Sequence, residues 1–505
     1  MSEDGRIKEL EDAIQETLRE IEALNNAVQS RDEQMGNLKS ELEQMRRSAT
    51  WRALMGFHEL LEDLLPLGTG RRMYYEELIG RIAAARKDGG SEKTEEKPKE
   101  VRLEDWDGER ITFPEPPESP DVSIVIPVYN HCGYTYNCLK SVLKNTRGPY
   151  EVVVVDDASK DRTPELLKSA ENVRVVVNEE NLGFVESCNA GVKAANGRYV
   201  FFLNNDAFVT ENWLEPLMEA MERDKVGAVG SKLVYPDGKM QEAGSIIWKD
   251  ASSQNYGRGD DPEKPEYNFV REVDYCSGAA LLVRRDLFEK IGGFDARFSP
   301  GYYEETDLCF SLRKMGYRVL YQPRSVVIHF EAVTSGTDIT SGVRKYLVLN
   351  REKFLEKWSD VLEGRYDPDP SNQFSARHAR KGKNILIIDH RIPIIDKDSG
   401  SCRMHNMLKI LIELGYRVTF IGNNSGRFEP HTSIIQQIGV EVVYDPHISS
   451  MWEYLGKNGK FFDIVILGRA QIAAKHISSV KRYCGKAKLI FDTVDLQFLR
   501  EQRRA

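Results

Sequence analysis

Two short apolar runs, Val152–Val155 and Tyr199–Leu203, each stop abruptly at polar, acid-bearing turns: Asp156–Asp157 after the first, Asn204–Asn205–Asp206 after the second. Neither run alternates apolar with polar residues, a pattern suited to strands buried on both faces of a parallel sheet. Ligands of open α/β sheets bind just beyond the carboxyl ends of such strands. Neighbouring strands are therefore predicted to deliver Asp156, Asp157 and Asp206 to one crevice.

The flanking sequence keeps this rhythm. SIVIPVYN (123–130) predicts a strand ending in a turn, Tyr136–Leu143 a helix, Arg162–Ser169 a helix, Val173–Val177 a strand and Phe184–Ala195 a helix. Further strands are expected at Leu281–Val283, Val319–Tyr321 and Val326–Ile328, with a closing helix over 340–358. This is the alternation of a Rossmann-like α/β domain, placed at 120–360. A second α/β segment begins at Asn384, with strands at NILIIDH (384–390), Arg417–Ile421, Val440–Tyr444, Ile464–Leu467 and Leu489–Phe491.

The ends and joints differ in character. Residues 1–47 carry a seven-residue repeat: Ile7, Ile14, Ile21, Val28, Met35 and Leu42 in one row, Leu10, Leu24, Leu38 and Met45 in the other. β-Branched residues at one core position with leucine at the next favour a parallel two-stranded coiled coil, hence a homodimer; a single amphipathic helix packed on the body is the alternative. Residues 48–87 read as a helical stem broken at Pro66–Gly70, whose apolar face suits a bundle contact or, less simply, an interfacial membrane helix. Charged, Gly- or Pro-bearing stretches at 88–119 and 361–383 read as linkers.

Composition removes several classes. A formal net charge of −9 argues against electrostatic capture of nucleic acid. Seven scattered cysteines without a CxxC pair do not suggest a disulfide or zinc framework, so a reducing cytoplasm is expected. No stretch approaches the ~18–20 apolar residues of a membrane span, leaving a soluble or peripheral protein.

The candidate chemistry lies in three places. Asp156 and Asp157 can accept hydrogen bonds from a base N–H and from ribose hydroxyls. Asn204–Asn205–Asp206 sets hard oxygen donors at a strand tip, suited to Mg2+ or Mn2+ bridging phosphate oxygens. Glu304, Glu305 and Asp307 cluster where a helix begins; they complement the helix dipole, or one of them serves as a general base. His329, closing an apolar run, is either a metal ligand or a core histidine.

Taken in order, SIVIPVYN, VVVVDDASKD, NLGFVESCNAGVKAANGRYVFFLNNDA, YCSGAALLVRRDLFEKIGGFD and FSPGYYEETDLCFSLRKMGYRV…IHF resemble family-2 glycosyltransferases of the GT-A fold. The resemblance runs from Val122 to about Gly336. It implies inverting transfer of a sugar from a nucleoside diphosphate, with Pro127, Tyr129, Asp156 and Asp157 at the base and ribose. It further implies Asp206 on the divalent metal, Asn205 near the ribose or phosphate, Glu305 as base and His329 completing the metal shell. Two departures stand out: Asn replaces the first acid of the metal motif, and Glu305 occupies a place the family usually gives to Asp.

The segment from Asn384, with FDTVDLQFLREQRRA at its end, resembles the first lobe of family-4 transferases of the GT-B fold. The donor-binding lobe has no counterpart, so this half is expected to lack activity of its own and to come from a longer two-enzyme polypeptide. Tandem modules behind a coiled coil resemble bacterial surface-polysaccharide enzymes, including those making O-antigen and rhamnan. That implies a UDP- or dTDP-sugar donor, possible rhamnosyl transfer, and a glycan or lipid-linked glycan acceptor at the cytoplasmic face of the membrane. The rival readings are an inactive coiled-coil scaffold of a polysaccharide-assembly complex and a nucleotidyltransferase. The latter would want a basic glycine-rich loop, and VIPVYNHCGYT carries neither lysine nor arginine.

Overall fold

The computed structural model describes residues 103–331, 345–448 and 450–494. The coiled-coil repeat, the helical stem and residues 495–505 lie outside them, and with them the expected dimer contact.

The first domain is built on β1 (Val122–Val128), α1 (Cys132–Asn145), β2 (Tyr150–Asp156), α2 (Thr163–Ser169), β3 (Arg174–Val177), α3 (Phe184–Ala194), β4 (Tyr199–Leu203) and β5 (Ala207–Val209). There follow α4 (Glu215–Met221), β6 (Val226–Val234), β7 (Met240–Glu242), β8 (Ala280–Arg284), α5 (Arg285–Ile291), α6 (Glu304–Lys314), β9 (Arg318–His329) and α7 (Lys345–Leu362). The spine of the sheet runs β9-β6-β8-β4-β1-β2-β3, with β5 paired to β9 and β7 to β6. β4, β1, β2 and β3 are parallel; β8 runs antiparallel to both neighbours, so the sheet is mixed.

Its strands are buried on both faces because each face carries helices. Ile124, Ile126, Val152, Val154 and Phe201 pack with α1, α2 and α4; Val125, Val153 and Phe202 pack with α3, α5, α6 and α7. The period-2 alternation of side chains is thus present, but both sets are apolar and the sequence shows a continuous run. The two runs expected at Val319–Tyr321 and Val326–Ile328 are one strand, β9, with a register shift between Gln322 and Val326. Pro323 sits in that interval, where its missing N–H costs no ladder bond.

The second domain holds β10 (Asn384–Asp389), α8 (Ser399–Glu413), β11 (Arg417–Gly422), α9 (His431–Gln437), β12 (Glu441–Val443), α10 (Met451–Asn458), β13 (Ile464–Gly468), α11 (Ala470–Tyr483) and β14 (Lys488–Asp492). Its sheet is wholly parallel, in the order β12-β11-β10-β13-β14. Numbered within the domain this is 3-2-1-4-5, the doubly wound order of Rossmann-type sheets.

Both stretches read as linkers differ from that expectation where they are described. Over 103–119, Trp106, Ile111 and Phe113 are buried, and Ile111–Thr112 pairs with Ala170–Glu171. Over 361–383, Ala376, Arg377 and Ala379 are buried where the domains meet. Arg377 donates to Glu441 at 2.6 Å, the two side chains 2% and 6% exposed. The Gln322 and Gln437 amides exchange hydrogen bonds, and Val270 N donates to Gln436 O. Charge density suggested a solvated tether; paired charges and a few apolar anchors make it packing instead. Among the described residues no helix is long and apolar enough to cross a membrane.

Candidate active site

The crevice forms where β1, β2 and β4 end. Asp156 closes β2 and Asp206 follows β4, and both strands flank β1; they are next-nearest rather than the expected adjacent neighbours. Pro127 is buried inside β1, in register with Val155, and Tyr129 is half-buried just beyond it.

The Asp pair divides its work. Asp157 is spent within the protein: its Oδ1 accepts from Asn178 Nδ2 at 2.7 Å and Leu182 N at 2.9 Å, its Oδ2 from Gly183 N at 2.8 Å. Asp157 therefore shapes the 178–183 loop and keeps one lone pair, on Oδ2, without a protein donor among the described residues. Asp156 Oδ1 accepts from Ser159 N at 2.9 Å; its Oδ2 has no protein donor among the described residues. Of the two, Asp156 keeps more acceptor capacity for a base or ribose.

Asp206 is 5% exposed, and its Oδ1 lies 3.2 Å from His329 Nε2. His329 ends β9, which pairs through Ile328 and His329 with Phe208 and Ala207 of β5, so the sheet itself brings acid and imidazole together. On the other side of the ring, Nδ1 faces Gln241 Oε1 at 3.1 Å. The Gln241 amide is oriented by donating Nε2 to Glu331 Oε2 at 3.1 Å, so its oxygen must face the ring and Nδ1 must carry the proton. Nε2 then turns a lone pair toward the Asp206 carboxylate. Two acceptors facing each other need a cation between them, either a proton or a metal ion. An imidazole fixed through its second nitrogen is the usual outer support of a metal-binding histidine. One carboxylate oxygen and one imidazole nitrogen are donors that suit Mg2+ or Mn2+; among the described residues no group of three His, Cys, Asp or Glu side chains is placed to hold an ion.

Asn205, expected near the ribose or phosphate, turns away: its Nδ2 donates to Thr135 Oγ1 on α1 at 3.1 Å. Asn204 is the amide that faces the pair, Nδ2 lying 3.4 Å from His329 Nε2, with a buried Oδ1 that has no partner. Asn204 N donates to Ala279 O, and Asn204 O accepts from Ala207 N to close a turn over Asn205 and Asp206.

Glu305 stands in the first turn of α6, half-buried, with an enclosed Oε2 that has no hydrogen-bond partner. Burial raises its carboxyl above the ordinary range. The neighbouring Glu304, 5% exposed, is raised too, first by burial and then by the charge of Glu305. Glu242 of β7 is fully buried, accepts from Ser277 N at 2.9 Å and lies within electrostatic reach of both Glu305 and His329. It joins the two ends of the site.

The turn leading into α6 is strained. Tyr302 and Tyr303 have φ of 73° and 75°, a conformation that costs L-residues about 1–2 kcal/mol each. Three anchors hold it. Asn350 of α7, wholly buried, lies with Nδ2 at 2.8, 2.9 and 3.1 Å from the carbonyls of Phe298, Gly301 and Tyr302. Tyr303 OH donates to Ala251 O. Gly183, at φ +84°, packs so closely on Pro300 that an added Cβ would lie 2.5 Å from Pro300 Cβ. Because Asp157 holds Gly183, the loop beyond β2 and the turn bearing Glu305 form one continuous contact. Asn204, Gln241, Glu242 and Asn350 are site residues that carry no local sequence signal; only a pairing of distant segments reveals them.

Parallel strands that end in carboxylates, with an acid and an imidazole at the central tip, define an α/β domain that binds its ligand across the strand ends. Residues 123–292 match the family model described as Glycosyl transferase family 2. The O-antigen biosynthesis protein RfbC of Myxococcus xanthus is 30% identical over 232 residues, covering 44% of this chain and 18% of that protein. The N-acetylglucosaminyl-diphospho-decaprenol L-rhamnosyltransferase of Mycobacterium tuberculosis (strain CDC 1551 / Oshkosh) is 28% identical over 251 residues, covering 43% and 78%. A crystal structure of GalNAc-T7 with UDP, GalNAc and Mn2+ aligns at 18% identity and a TM-score of 0.39 over 48% of this chain and 49% of that one. The chain spans less than half the length of the first curated relatives it matches.

Proposed function

We propose that the first domain transfers a sugar from a nucleoside diphosphate to an acceptor hydroxyl, with inversion at the anomeric carbon. Asp156 holds the nucleoside, Tyr129 flanks it and Pro127 shapes the strand beneath. Glu305 takes the proton of the acceptor hydroxyl as that oxygen bonds to C1. The C1–O bond to phosphate breaks on the opposite face and the nucleoside diphosphate departs. Asp206 and His329 would hold Mg2+ or Mn2+, whose chemistry is Lewis-acid neutralisation of the charge on the departing diphosphate. Asn204 and Asp206 orient that end of the donor, and Gln241 keeps His329 in the tautomer that can bind an ion.

What supports this reading is the pairing of Asp206 with a tautomer-fixed His329, together with a buried, partnerless carboxylate oxygen on Glu305; Glu242 lies within electrostatic reach of both His329 and Glu305. The family match at 123–292 supports it. The names of the two bacterial relatives favour a surface-glycan pathway, so the acceptor is a glycan or lipid-linked glycan and a deoxyhexose such as rhamnose is a candidate donor sugar, on UDP or dTDP. In this reading the coiled coil makes a homodimer, the enzyme acts in the cytoplasm with peripheral contact at the membrane, and the second domain is a first lobe of the GT-B type.

The decisive experiment is titration with UDP- and dTDP-sugars in Mn2+ or EDTA, followed by release of nucleoside diphosphate with acceptor. Metal-dependent binding and turnover are expected. A chain that binds no nucleotide under any of these conditions is a scaffold.

A further inference from the structure

A cavity of about 360 Å³ opens away from the crevice, where α6, α7 and residues 376–381 meet; none of the residues assigned to the donor lines it. Its walls are cationic. Arg313, in the last turn of α6, and Arg365, just beyond α7, both reach Asp274 Oδ1, at 3.2 and 2.6 Å. Asp274 is 1% exposed and its other oxygen accepts from Ile247 N at 3.0 Å. One saturated carboxylate therefore faces two guanidiniums. Lys381, on the rim, has no carboxylate partner among the described residues; its ammonium lies 5.8 Å above the Tyr366 ring.

The surroundings do not supply the missing negative charge. Arg377 pairs with Glu441, while Glu272 is shared between Arg380 and Arg318. Among the described residues Arg271, 2% exposed, donates only to the carbonyls of Glu266 and Ala243, and Arg417 only to those of Ser375 and Arg380. His378 lines the cavity as a neutral ring, held well below its ordinary range by burial and by the charges of Arg377, Arg417 and Arg271. Uncompensated buried cations are costly, and a planar guanidinium beside an ammonium matches the oxygens of a phosphate group.

We propose that this cavity binds a small phosphorylated anion, with Arg365 and Lys381 as its direct contacts and Arg313 held in place through Asp274. The volume lies at the low end of small-ligand sites and suits pyrophosphate or a sugar phosphate better than a whole nucleotide sugar. The site sits at the far end of the helix that carries Glu305, eight residues or about 12 Å along its axis, and does not depend on the transferase reading.

The test uses the full chain in EDTA, which silences metal-dependent binding at the crevice, with pyrophosphate and inorganic phosphate as probes. The readouts are thermal melting and the NMR titration of His378, assigned by its loss in His378→Gln. Pyrophosphate is expected to raise the melting temperature and to move the His378 midpoint upward, with inorganic phosphate weaker if two phosphates are read. Lys381→Glu, on the exposed rim where folding is not at stake, should weaken pyrophosphate about tenfold, as loss of one charge-assisted contact does; Arg365→Gln should do the same if it folds. A His378 midpoint unmoved by millimolar pyrophosphate overturns the proposal. So does a thermal shift of equal size in Lys381→Glu, since the anion would then bind elsewhere.

Discussion

His329 Nε2 lies 3.2 Å from Asp206 Oδ1, while the opposite ring nitrogen is committed to Gln241. The pair is held from three separate strands, β5, β7 and β9, and its geometry survives only if all three keep register.

Replacing Asp206 with Ala should therefore weaken donor binding by about tenfold or more, the scale of losing one charged contact, and should abolish the difference between Mn2+ and EDTA. Gln241→Leu frees the His329 ring and should lower metal affinity by roughly 10–100-fold, the cost typical of an outer support. Calorimetry with and without metal decides both; donor affinity that ignores EDTA in the wild type removes the metal from the site.

Glu305→Gln keeps shape and loses basicity. Turnover should fall by about 10²–10⁴-fold, the usual span of a positioned base, with donor affinity within about twofold. Since burial raises the Glu305 carboxyl, the acid limb of the kcat profile should lie above the ordinary carboxylate range, and activity should fall as pH drops through it. A mutant with full transfer rate would take Glu305 out of the mechanism.

Asn350 touches neither metal nor base, yet it clamps the strained turn before Glu305. Asn350→Ala should lower kcat more than it raises KM for the donor and should cost about 1–3 kcal/mol in urea unfolding, the scale of a buried carbonyl left unsatisfied. Equal scaling of kcat and folded fraction would reduce Asn350 to a purely structural residue.

Gly183→Ala strikes the same turn from the other side. An added methyl would press on Pro300 at a φ that L-residues avoid, so transfer should suffer even where the fold holds, as judged by circular dichroism. Unchanged kcat would show that the loop held by Asp157 does not set the position of Glu305.

Glu242 makes a pH prediction. Burial lifts its carboxyl to about 7, helped by the charge of Glu305 and opposed by the hydrogen bond from Ser277. Between the unfolded value of about 4.5 and 7 the folded state holds a proton that the unfolded chain has lost. This contribution is full below about pH 4.5 and is lost as pH rises through 7, a change of up to about 3 kcal/mol. Urea unfolding at pH 5 and 8 should show Glu242→Gln less sensitive to pH than the wild type; parallel behaviour of the two would refute the assignment.

The chain's local pattern is enough to read the sheet. Val152–Val155 and Tyr199–Leu203 are apolar because both faces are covered, and the acids at their ends mark where burial stops. Those features are written in adjacent residues, so strands, helices and the ends at which chemistry gathers follow from periodicity. Side-chain direction at the tips does not. Asn204 and Asn205 are identical in type and adjacent; Asn204 faces His329 while Asn205 bonds Thr135, contacts 125 and 70 residues away in the chain. Asp157 looked like a ligand group and became a loop anchor because Leu182 and Gly183 fold back onto it.

By itself the sequence determined two α/β domains, the crevice at the strand ends and the residue types gathered there, since burial and periodicity act over a few residues. Tertiary structure alone decided which acids keep a free oxygen, which amide orients the histidine, and that Asn350 clamps the turn before Glu305. Each of those rests on contacts between segments 21 to 90 residues apart, where register rather than composition sets the outcome.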